Sequence, residues 1–132
     1  MIPKFRAYDS GSLIRMYQPD EVMVGDGNIW IIDEDLVAGD WIVNNDLHLM
    51  QSTGLLDKNG KEIFEGDVLA IETDEGVTNL KVFWDEKHAL FMFESKKYNE
   101  KDLLAELVED NTYPFEIIGN IYENPELLEI ES

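Results

Sequence analysis

Residues 54–69 read Gly54-Leu55-Leu56-Asp57-Lys58-Asn59-Gly60-Lys61-Glu62-Ile63-Phe64-Glu65-Gly66-Asp67-Val68-Leu69. Gly54, Gly60 and Gly66 fall where corners need positive φ, a conformation glycine adopts without steric cost. Between them Leu55, Ile63, Phe64 and Val68 are apolar residues that fill a core. Asn59-Gly60 reads as a type I′ hairpin turn, whose two central positions both need positive φ. Glu65-Gly66-Asp67 is a second tight corner, its carboxylates positioned to accept from turn amides. Such a stretch specifies short strands joined by tight turns.

The same grammar continues downstream. Val68 to Thr73 is a strand, Asp74-Glu75-Gly76 a turn, and Val77 to Trp84 a strand with Leu80, Val82 and Trp84 on one face. Asp85-Glu86-Lys87 turns into Ala89 to Glu94, and Phe115 to Tyr122 is a last strand. Upstream, Lys4 to Asp9 alternates polar and apolar residues, Asp9-Ser10-Gly11-Ser12 is turn chemistry, and Leu13 to Tyr17 returns. Asp26-Gly27-Asn28 separates Glu21 to Val24 from Asn28 to Ile32 as a hairpin. Asp33 to Gly39 fits a loop or one helical turn, and Trp41 to Val43 and Leu47 to Gln51 are short strands. Helix is scarce. Ser95 or Asn99 could cap a segment through Val108 with Leu103, Leu104, Leu107 and Val108 as its stripe. In Asn124-Pro125-Glu126, Asn is an N-cap, Pro suits the first helical position and Glu complements the first turn.

The expected fold is therefore mainly β: a meander of short strands forming a small SH3-like barrel or a sandwich core. It has an N-terminal β subdomain and one or two short helices near the C-terminus. One domain over 1–132 is expected, divisible into subdomains 1–53 and 54–132. With 132 residues and 44% hydrophobic content the chain can bury a core without staples.

Three blocks carry a resemblance. They are Lys4 to Asp9 (Lys-Phe-Arg-Ala-Tyr-Asp), Leu49 to Leu69, and Glu116 to Leu128 (Glu-Ile-Ile-Gly-Asn-Ile-Tyr-Glu-Asn-Pro-Glu-Leu-Leu). Together they resemble the YopX family of bacteriophage and prophage proteins across nearly the whole chain. The sequence departs from the family's common pattern at Tyr8, Ser52 and Leu56. The resemblance implies a phage or prophage origin and the cytoplasm of a bacterial host. It implies no activity and carries no catalytic residues over.

Composition narrows the functions. The chain has no cysteine, which removes disulfides, thiolate metal sites and cysteine nucleophiles. Its apolar runs are too short to span a bilayer and its first residues lack a signal-peptide core, so a cytoplasmic protein with no membrane partner is expected. Against 10 basic residues stand 29 acidic ones, a net charge of −19. No Lys or Arg lies between Arg15 and Lys58 or after Lys101. That field repels phosphate backbones and attracts basic proteins, and its plainest role is solubility. Nucleic acid is therefore an unfavoured partner, with Lys4, Arg6 and Arg15 as the lone basic patch.

Reactive constellations are missing. His48 and His88 lie on separate strands without metal-ligand spacing, no serine sits in a nucleophile elbow, and no phosphate loop follows Gly25-Asp26-Gly27. Asp57 and Asn59 open an alternation that fails as a calcium loop at Lys61. No catalytic, metal or cofactor residues are assigned, and a non-enzyme without cofactor is expected. Gly54, Gly60, Gly66, Asp67, Gly119, Asn124 and Pro125 form a structural motif. Trp30, Trp41 and Tyr98 are candidates for an interaction surface. The expectation is a protein-binding or self-assembling accessory module, a homo-oligomer with an unknown protein partner. The alternatives are an acidic mimic of DNA that inhibits a nucleic-acid-binding protein, and a nucleic-acid-binding small barrel.

Overall fold

A computed structural model describes residues 3–11, 13–32, 40–110 and 112–129. The expectation for Asp33 to Gly39 lies outside the described residues. The fold is mainly β, with one sheet curled into a half-barrel. The chain divides into two compact units, Met1–Ser52 and Thr53–Ser132.

In the first unit β1 (Phe5–Asp9) pairs antiparallel with β2 (Arg15–Tyr17) and with β6 (His48–Leu56), whose last residues from Thr53 belong to the second unit. A separate sheet has the order β3 (Val22–Gly25), β4 (Asn28–Ile32), β5 (Trp41–Val43). The β3–β4 hairpin turns where the sequence predicts, with Asp26 and Gly27 both at positive φ, 53° and 74°. Ala7, Tyr17, Val22, Ile31 and Leu47 are buried together, so alternate residues of both sheets supply one apolar core. Glu21 belongs to a short 3-10 turn, Pro19–Glu21, rather than to β3, and its carboxylate bonds both the Gln18 amide and the Arg15 guanidinium.

The second unit begins with the end of β6 and β7 (Glu62–Phe64), joined where Thr53 Oγ1 donates to the Ile63 carbonyl at 2.8 Å. A five-stranded antiparallel sheet follows, in the order β11 (Glu100–Leu103), β10 (Leu90–Ser95), β9 (Gly76–Asp85), β8 (Asp67–Thr73), β12 (Phe115–Asn120). Ile63, Leu69, Ile71, Leu80, Val82, Leu104 and Phe115 form its buried core.

The helical expectation needs correction. Residues Glu100–Leu103 are a strand, and the α-helix α1 covers only Leu104–Asp110. The cause is Asn99 at φ 53°, which reverses the chain into a hairpin so that Glu100 to Leu103 pair with Ser95 to Met92. Ser95 accordingly accepts from the Tyr98 amide within that turn at 3.3 Å instead of capping a helix. Leu104, Leu107 and Val108 do pack on the core as the stripe predicts.

Candidate functional site

The residues singled out in the sequence fall into two groups, one that shapes corners and one that faces outward. Gly54, Gly60 and Gly66 all have positive φ, at 77°, 78° and 87°. The turn at Asn59-Gly60 is not type I′, because Asn59 has an ordinary negative φ and only Gly60 is left-handed. Asp57 decides this. Its Oδ1 accepts from the amides of Asn59 and Lys61, both at 2.9 Å, while its carbonyl accepts from Gly60 at 3.0 Å. Those bonds fix a type I turn followed by a left-handed glycine, a longer hairpin loop than the dipeptide signal implies. Asp67, 1% exposed, accepts from the Phe64 amide at 2.8 Å and so closes the Gly66 corner.

The third block converges on one place. β12 carries a bulge between Ile117 and Gly119, and the chain then returns as a 3-10 turn, Pro125–Leu128. A Cβ added at Gly119 would overlap the Asn124 side chain and lie 2.8 Å from Leu127 Cδ1, so any larger residue there forces those side chains to shift. Asn124 stands at the N-cap position but makes no side-chain cap bond. Its Oδ1 accepts instead from the Asn120 amide at 3.3 Å. Pro125 opens the turn as predicted. These residues build framework, and Asp57 belongs with them: the sequence offers it only as the start of a failed calcium loop, because its 6% exposure is invisible in a strongly acidic chain.

Of the outward candidates, Trp30 and Trp41 come together. Register pairs Met23 with Trp30 and Trp30 with Val43, and pairs Ile32 with Trp41. Partners in an antiparallel ladder share a face, so Met23, Trp30, Ile32, Trp41 and Val43 occupy the side of the β3-β4-β5 sheet opposite buried Val22 and Ile31. Met23 is 48% exposed, Val43 45% and Trp41 38%. The Trp30 indole lies along this face and donates to the Gly25 carbonyl at 3.2 Å. None of the twelve residues in these three strands is charged, in a chain that is 30% charged. All of β5 is exposed, and it is an edge strand among the described residues. Met23 and Val43 were not singled out from sequence, because they join the two tryptophans only through register. Tyr98 belongs to the second unit, where its hydroxyl donates to Glu75 at 3.2 Å.

Both histidines have structural partners. Ser10 Oγ and His48 Nε2 lie 2.9 Å apart and tie the β1–β2 turn to the start of β6. Asp85 bonds His88 at 2.8 Å, and that bond outweighs the opposing effect of burial to hold the Asp85 carboxyl below its ordinary value. Arg15, one of the three basic candidates, is paired with Glu21 and lies 4.4 Å from the Tyr17 ring centroid. Among the described residues no group of three His, Asp or Glu side chains is gathered as a metal site. No described helix is long and apolar enough to cross a membrane.

These observations define a two-unit, mainly β protein with a shaped corner motif and an uncharged outward sheet face. The YopX protein family model matches residues 4–129, and the chain belongs to that family. The crystal structure of protein EF1440 from Enterococcus faecalis is similar, with a TM-score of 0.63, 28% identity, and coverage of 98% of this chain and 99% of that one. Protein yopX from Bacillus subtilis shares the fold with a TM-score of 0.64 at 18% identity, covering 96% of this chain and 98% of that one. No curated protein matches the chain.

Proposed function

We propose that this chain is a non-catalytic accessory module that binds protein, itself or another, through the outward face of the β3-β4-β5 sheet. One observation carries the reading: five apolar side chains, two of them tryptophans, line up on a surface built from strands without a single charge. An exposed cluster of this kind rimmed by polar residues is a common mark of a protein interface, and tryptophan is the residue most enriched at interface hot spots. Edge strand β5 adds a row of main-chain groups and has no lysine or proline to discourage pairing. Asp20, Glu21, Asp26, Asp40 and Asp46 flank these strands in sequence, and their charge selects against nucleic acid and toward a neutral or basic partner.

The test compares the wild type with the double variant W41S/V43S. Sedimentation velocity reads self-association, and affinity capture reads other partners. The reading expects a slower-sedimenting species or a lost partner in the variant, with an unchanged circular dichroism spectrum. A wild type that stays monomeric and retains the same proteins as the variant contradicts it. Binding that competes with duplex DNA and vanishes with added salt would instead support mimicry of DNA.

A further inference from the structure

Strand β5, Trp41–Val43, is exposed throughout, and among the described residues it is an edge of its sheet. The Asn44 amide donates to the Ile29 carbonyl at 2.8 Å, and register pairs Ile42 with Ile31. Successive residues of an antiparallel strand turn their main-chain groups alternately to one side and the other. Asn44 and Ile42 therefore bond toward β4, and the N–H and C=O groups of Trp41 and Val43 point to the open edge.

That spacing is self-complementary. Take two copies of β5 related by a two-fold axis through Ile42, normal to the sheet. Trp41 then stands opposite the partner's Val43, and Val43 opposite the partner's Trp41. Each pair exchanges both of its main-chain bonds, as a two-fold interface requires. The large indole lies beside the smaller valine, an aromatic and β-branched pair of the kind that stabilises antiparallel ladders. Charge selects the same register. In it Asp40 falls opposite the partner's Asn44, whereas sliding one copy by two residues sets Asp40 against the partner's Asp46 or the partner's Ile42. A chain of net charge −19 repels its own copies, and β5 offers them an edge that carries no charge.

Resting on the protein-binding reading of this sheet face, we propose that its partner is a second copy of the chain, joined β5 to β5 in that register. Pairing makes one continuous sheet of the two, with the outward faces of both copies on the same side.

The chain has no cysteine, so one introduced thiol reports one contact. Ile42 meets the partner's Ile42 at a non-hydrogen-bonded position, where Cα atoms stand about 4.5 Å apart, within disulfide reach. Full-length I42C, oxidised with diamide and run on a non-reducing gel, is expected to convert largely to covalent dimer. The variant E86C, with its thiol at another exposed position, is not. V43P removes an N–H that points away from β4, so the sheet persists while dimerisation, read by sedimentation equilibrium, weakens at least about tenfold. Added salt should tighten the wild-type dimer by screening like charges, where a partner held by ion pairs would be released. A wild-type dimer in which I42C crosslinks no faster than E86C, or which V43P leaves unchanged, overturns β5 pairing and leaves the face as a protein-binding surface. A monomeric wild type overturns the pairing too. If W41S/V43S then also loses no captured partner, the reading of the face falls with it.

Discussion

The carboxylate of Asp57 accepts a hydrogen bond from the backbone amide of Ile117, sixty residues along the chain, at 3.0 Å. Beside it the Lys58 amide donates to the Phe115 carbonyl at 3.1 Å. β12 is an edge of the five-stranded sheet, and these two bonds occupy main-chain groups that an edge leaves open. A single turn thus closes its own hairpin through Oδ1 and seals a distant strand through Oδ2.

Replacing Asp57 with Ala should destabilise the protein by about 2–4 kcal/mol, because three amides lose their acceptor at a buried position. Asp57→Asn should cost less, about 1–2 kcal/mol, since one oxygen can still serve the turn while the new amide group faces the Ile117 N–H as donor against donor. Urea unfolding midpoints measure both, and an Ala variant as stable as the wild type contradicts the assignment.

The same group sets a pH dependence. Burial pushes the Asp57 carboxyl upward, but the amides of Ile117, Lys61 and Asn59 with the Lys61 charge outweigh it and hold the group below its ordinary 3.8. A depressed folded value means stability that is fully present above the ordinary carboxylate range and is lost as pH falls through the folded value. The stability gap between wild type and Asp57→Asn should therefore be constant from neutral pH down to about 5 and narrow below about 4. Urea midpoints at stepped pH read it, and a gap that widens on acidification contradicts it.

Gly119→Ala should cost about 1–3 kcal/mol, because its new methyl overlaps Asn124 and Leu127. In Gly119→Ala combined with Asn124→Ala the penalty of the second change should be smaller than in the wild type, a coupling that a double-mutant cycle of unfolding free energies measures. Strict additivity would show that the two residues do not meet.

Tyr113 donates to Asp74 Oδ2 at 3.3 Å, and the Asp74 charge, followed by burial, raises its phenol above the ordinary 10.0. Asp74→Asn should bring the titration back down, followed by ultraviolet absorbance against pH, and added salt should do so in part. An unchanged titration curve contradicts this contact.

Much of the fold was legible because its signals are local. Positive φ at Gly54, Gly60 and Gly66 follows from glycine at corners, and the Asp26-Gly27 hairpin follows from a dipeptide. What escaped was set by distant partners. The helix ending at Asp110 lost its first residues to pairing with β10, a long-range gain that overrides a helical stripe. Asn59-Gly60 took another turn because a buried aspartate two residues earlier claimed the amides. Trp30 and Trp41 were singled out as aromatics, but Met23 and Val43 joined them through strand register alone.

The most direct trial of the protein-binding role is site-specific photo-crosslinking inside cells that produce the chain. A photoreactive residue replaces Val43, and a matched control carries it at exposed Glu86. Position 43 should yield a discrete crosslinked band, to a second copy or to one other protein, and position 86 none. Identical patterns from both positions would contradict the account.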